Sequence, residues 1–115
     1  MQYEDILPIS REQLHRALTS ESEEHAARAI IAVGLYEPDW RWAEQTCVQA
    51  LQDSREDVRA AAITSLGHIA RIHGRITVAR VIPELEGLRS HPTLGGVAED
   101  ALEDILRFVK SPGPE

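Results

Sequence analysis

The sequence holds one cysteine, Cys47, so no disulfide can close within the chain. A fold built from it must be held by its core, and a lone thiol fits a reducing compartment. Aromatic residues make up only 4% of the chain, and no Asn-Gly or Asp-Gly turn separates alternating apolar runs. That argues against a β-sandwich or barrel. No apolar run approaches the roughly 20 residues of a membrane-spanning helix. The opening stretch MQYEDILPIS is acidic, without the basic start and apolar run of a secretion signal, so a cytoplasmic protein that avoids membranes is expected. Lysine is nearly missing, one against eleven arginines, and the net charge is −7. Phosphate contacts need clustered cations, so general nucleic-acid binding is not expected. Neither a Gly-x-Ser-x-Gly turn nor a phosphate-cradling glycine loop occurs, which removes the commonest nucleophile and nucleotide signatures.

What remains is a helical chain of 115 residues with a hydrophobic share of 43%. This is enough for one domain with its own core, expected over residues 1–110, with SPGPE at 111–115 as a disordered tail. Ser10-x-x-Gln13 reads as a capping box opening a first helix to about Thr19. Ser20-x-x-Glu23 reads as a second box, opening a helix that Pro38 stops. Asp39 caps a third helix to about Gln52, and Ser54-x-x-Asp57 a fourth, to His73, where Gly74 supplies the left-handed terminal residue. Thr77 caps a fifth, with Pro83 inside it, and a sixth runs from about Leu94 to Lys110. Short connections favour antiparallel neighbours, pairing one with two, three with four and five with six.

The second helices of these pairs repeat one template. HAARAIIAVGL at 25–35 overlays VRAAAITSLGH at 58–68, placing Ala27, Ala29, Ile30 and Gly34 on Ala60, Ala62, Ile63 and Gly67. VAEDALEDIL at 97–106 overlays the same helix from Val58, matching Ala62 to Ala101, Ile63 to Leu102 and Leu66 to Ile105. Small residues at matched positions let backbones approach closely. In helix four the apolar residues from Val58 to Ile72 sweep about 200° at 100° per residue. So wide an arc needs neighbours on several sides, making it the inner helix of a middle repeat.

The stretch LQDSREDVRAAAITSLGHIA, with its Asp-rich turn, Val-Arg pair and Ala-rich second helix, resembles a HEAT repeat. Pro83 in VIPELEGL resembles the proline that bends the first helix of that repeat. The resemblance is closest over 39–73, less close over 77–109 and least over 10–36. It implies an all-α, right-handed solenoid of about six helices in three antiparallel HEAT-like pairs. It also implies that Arg59 bonds to the aspartate-bearing turn, at Asp53 or Asp57.

Several residues are candidates for partner contact. His68 and Arg71 lie about 60° apart outside the apolar arc of helix four, as either a contact site on the concave face or a solvated face. His73, last in the helix, reads as packed or capping. Trp40 falls on the apolar arc of helix three and reads as core, as does Cys47. Trp42 lies about 80° beyond that arc, either covering a neighbouring helix or exposed as an anchor. Glu99, Asp100, Glu103 and Asp104 form one stripe on helix six, either a solvated side or a surface for a basic partner. No metal or cofactor is expected: His68 and His73 are about 140° apart on their helix, and the other histidines sit elsewhere.

HEAT repeats serve as scaffolds for protein contacts, so the resemblance implies binding rather than catalysis. With the acidity and the missing catalytic motifs, a non-enzymatic module that binds another protein is expected; the resemblance is to a small stand-alone bacterial member, expected to be monomeric when free. Some bacterial immunity proteins are small helical-repeat domains, so the sharpest expectation is one that neutralises a basic nuclease toxin. The alternative is an adaptor stacking into a larger assembly by a terminal repeat. A third reading is an enzyme or nucleic-acid module using His68 and Arg71.

Overall fold

Residues 6–109 are described in the computed structural model, and every regular element among them is a helix. These are α1 (Arg11–Leu18), α2 (Glu23–Tyr36), α3 (Trp40–Ala50), α4 (Glu56–His73), α5 (Val78–Glu86) and α6 (Gly95–Phe108). Lys110 and the tail expected at 111–115 lie outside the described residues.

Three termini form as their local sequence dictates. Ser10 Oγ accepts from Gln13 N at 3.0 Å while Gln13 Oε1 accepts from Ser10 N at 2.8 Å, a reciprocal box on α1. Asp39 Oδ1 accepts from Trp42 N at 3.2 Å. Gly74, at φ 65°, closes α4.

Three other termini differ from expectation. The box at Ser20 and Glu23 does not form, because α2 is capped by Ser22, whose Oγ accepts from His25 N at 3.1 Å. Glu23 turns instead to the next pair and accepts from Asp57 N, 34 residues on, at 2.8 Å. That donor is an otherwise orphan N–H of the first turn of α4, which has no side-chain cap of its own from Ser54 or Arg55. Thr77 stands at the N-cap of α5 without a side-chain cap, and its N–H donates to Glu44 Oε1, 33 residues back, at 2.6 Å. Glu44 is buried. Both carboxylates thus cap a helix about one repeat further along.

The turn before α4 also departs from the family expectation. Asp53 is held by Arg55, with Nε to Oδ1 at 2.9 Å and Nη2 to Oδ2 at 3.0 Å. The same guanidinium donates to the carbonyls of Ser20 and Leu18, each at 2.9 Å, tying the turn to the end of α1. Arg59, one helical turn further on, donates to Leu51 O at 3.1 Å rather than to an aspartate. Arg55 is two residues from Asp53 and meets it within the turn, so the carboxylate is already satisfied.

Helix α4 is the inner rod. It packs against α2 on one side, α6 on the other and α3 on a third, while α1 lies on α2 and α5 on α6. Val58, Ala62, Ile63, Leu66, Ile69 and Ala70 are all completely buried on it. Glycines set the helix spacing. A Cβ on Gly34 would lie 2.5 Å from Ser65 Cβ and 2.8 Å from Ser65 Cα, so α2 and α4 nearly touch there. A Cβ on Gly67 would lie 3.0 Å from Asp104 Oδ2 and 3.4 Å from Ala101 Cα of α6. The repeat register that aligns Gly34 with Gly67 therefore places each against the following pair. Ser65 satisfies its hydroxyl in the dry contact by donating to Ile30 O at 3.0 Å.

The two ends of the stack are finished differently. Residues 6–9 lie against the first pair, with Ile6 buried and Ile9 half-buried beside Ala29 and Ala32. At the other end α6 carries Leu106, 80% exposed. None of the described helices is long and apolar enough to cross a membrane.

Candidate partner-binding surface

The polar strip of α4 carries Thr64 and His68, both half-buried, and Arg71, which is exposed. One Arg71 Nη lies 3.0 Å from His68 Nδ1. A guanidinium only donates, so Nδ1 accepts and the proton of the neutral ring sits on Nε2. Partial burial lowers the pKa of His68 below its ordinary value, Arg71 lowers it further, and Asp104 of α6 opposes them. The imidazole is therefore neutral at pH 7. Asp104 lies across the α4–α6 seam, against Gly67. The structure thus brings His68, Arg71 and Asp104 together on one face.

The acidic stripe of α6 divides around the helix. Asp104 is half-buried toward α4, and Asp100 is exposed. Glu99 and Glu103 border a groove of about 330 Å³ between α5 and α6, with Glu86 and Arg89. Arg89 sits 3.1 Å from Glu86 and 3.7 Å from Glu99. These pairs are half-exposed and contribute little to stability.

Trp42 is half-buried. The Arg11 guanidinium stands 4.2 Å from its ring centroid and is itself 3.5 Å from Glu37 and Asp39. Pro8, Tyr36 and Pro38 border the same cleft. The indole stands at the junction of the first pair with α3, apart from the α4–α6 group. Trp40, expected in the core, is only half-buried, with the Arg41 guanidinium 4.9 Å from its ring centroid. It is the first residue of α3, where a side chain lies at the end of the helix contact rather than within it.

Cys47 is completely buried, and burial pushes its thiol up to about 12 against a favourable Ser65 hydrogen bond. Such a thiol stays protonated and packs as a small apolar group. Among the described residues, no three His, Cys, Asp or Glu side chains are placed to share a metal ion.

Comparison with known proteins fits this geometry. The family model for HEAT repeats matches residues 11–105. The chain belongs to the HEAT-repeat family. A search of curated proteins gave no match. Among solved structures, this HEAT chain is similar to one in the crystal structure of a CDI complex from Cupriavidus taiwanensis LMG 19424. The identity is 30%, the TM-score 0.78, and the match covers 94% of this chain and 96% of that one.

Sequence reasoning passed over one surface feature of the HEAT stack, Leu106. Among the described residues it is the most exposed of the large apolar side chains. The signal was available, because the alignment of Val58 with Val97, carried nine residues on, sets Leu106 under Gly67 and Gly34.

Proposed function

We propose that this HEAT-repeat chain is an immunity protein that binds and neutralises a cationic toxin domain, most narrowly a nuclease, in the bacterial cytoplasm. The observation that carries the reading is the match to a chain of a CDI complex, CDI being contact-dependent inhibition, in which a toxin is paired with an immunity protein. The likeness spans nearly the whole of both chains, so it includes the ends and faces of the stack and not merely a shared helical hairpin. The net charge of −7 supports it, since a nuclease needs a basic surface for phosphate and an acidic partner is steered to such a surface. In this reading the chain is a free monomer and has no catalytic role. It makes contact through two flanks of α6, His68, Arg71 and Asp104 at the α4 seam and Glu99 and Glu103 at the α5 groove, together with the exposed Asp100 and, at the first pair, Trp42. The alternative of an adaptor extended by repeat stacking is weakened by residues 6–9 lying against the first pair.

The test is to induce, in a bacterial host, the toxin domain encoded beside this gene, with and without the chain. The expected result is growth arrest by the toxin alone, and rescue with a one-to-one copurifying complex when both are made. A toxin whose arrest is unchanged by the chain overturns the reading.

A further inference from the structure

A matched position in each of the first two helical pairs closely approaches the pair after it. In the first pair that position is Gly34, against Ser65; in the second it is Gly67, against Asp104. The partners are themselves matched by the repeat register, since the alignment of Val58 with Val97 sets Ser65 on Asp104. In the third pair the same position is Leu106, 80% exposed. A leucine there holds off any further helix at the distance the glycines allow, because its side chain fills the space the next backbone would occupy. The end face therefore differs from the two helix seams inside the stack, where the matched position is glycine.

Leu106 and Leu102 lie in the α5–α6 groove, bordered by Glu86, Glu99 and Glu103, with Arg89 the single cation on the rim. An exposed leucine within a ring of net negative charge matches an apolar contact flanked by lysine or arginine. We propose that this end of the stack docks a cationic amphipathic segment of a partner protein, with Leu106 as its apolar anchor. The proposal rests on reading the chain as a protein-binding module, but it does not depend on which toxin is bound.

The test uses the full chain and two labelled helical peptides of about 16 residues, roughly four turns. One has leucines at every third or fourth position with lysines elsewhere; the other has glutamate in place of each lysine. Fluorescence anisotropy reads binding, and light scattering reads self-association. The lysine peptide is expected to bind and the glutamate peptide to fail. Leu106→Ala should weaken binding about tenfold, as loss of a buried leucine's apolar area predicts. Glu99→Lys with Glu103→Lys should weaken it at least as much, whereas Arg28→Ala, at the other end, should leave it unchanged. All of these side chains are substantially exposed except Arg28, and circular dichroism checks that each variant folds. Binding by Leu106→Ala within twofold of the parent, equal binding of the glutamate peptide, or a dimer that Leu106→Ala dissolves overturns the proposal. Expected peptide behaviour without toxin neutralisation leaves the docking face standing and removes the immunity reading; toxin neutralisation with peptide binding indifferent to Leu106 does the reverse.

Discussion

Replacing Gly34 with alanine asks how much of this fold depends on close helix contact. In an exposed helix the change would stabilise by about 1 kcal/mol, the difference in helix propensity. Here the new methyl would lie 2.5 Å from Ser65 Cβ, 2.7 Å from its Oγ and 2.8 Å from its Cα. No rotamer of Ser65 moves its own Cβ or Cα, so α2 and α4 must separate. Overpacking of this kind costs about 1–3 kcal/mol. Displacing Ser65 also threatens its buried bond to Ile30 O, worth a similar amount if the hydroxyl is left unsatisfied. The net expectation is a loss of about 1–5 kcal/mol, lowering Tm by roughly 4 °C or more. Gly67→Ala meets chiefly the movable Asp104 carboxylate at 3.0 Å and should stay within about 1 kcal/mol of the parent. Gly96→Ala meets nothing within 4 Å and should stabilise slightly. Urea denaturation of the three variants gives the order, and Ser65→Gly combined with Gly34→Ala should recover part of the loss. A Gly34→Ala protein as stable as the parent would refute the close-contact account.

Other perturbations probe the polar braces and the exposed face. Arg55→Ala removes the fork on Asp53 and both carbonyl contacts at the end of α1; a loss of about 1–3 kcal/mol is expected by chemical denaturation, and Arg55→Lys should recover little of it. Glu44→Ala leaves the Thr77 N–H without its buried acceptor and should cost about 1–3 kcal/mol, with Glu44→Gln milder because an acceptor remains. The depressed pKa of His68 means that the unfolded chain takes up this proton first on acidification. Stability from this group is therefore level above about pH 6.5 and falls as pH drops from there toward the folded value. His68→Gln should flatten that part of the pH dependence, as urea midpoints at neutral and mildly acid pH would report.

The legible features were those whose cause lies within a few residues. The Ser10 box, the Asp39 cap, the Gly74 terminus and the burial arc of α4, except for Ile72 at its exposed last turn, all follow from local spacing, and the central place of α4 follows from that arc. The features that escaped depend on residues one repeat apart. Glu23 looks like half of a box with Ser20, yet its carboxylate serves Asp57; Glu44, buried on α3, caps α5, and no spacing within α3 points to the Thr77 N–H as its partner. Arg55 and Arg59 are equally placed by sequence to hold Asp53, and only the fold of the turn decides between them. On the candidate surface, helical angles placed His68 and Arg71 outside the apolar arc of α4, where His68 is half-buried and Arg71 exposed. They treated the four acids of α6 as one stripe, although the packing of α4 and α5 sends Asp104 and Glu99 to opposite flanks. The environment of Trp42 was out of reach, because Arg11 comes from another helix.

The most direct test of the recognition role is calorimetric titration of the purified toxin domain encoded beside this gene into the full chain. The account predicts saturable one-to-one binding that weakens with added salt, as steering between an acidic module and a basic partner requires. Absence of binding heat across a range of temperatures, with both proteins folded, would contradict it.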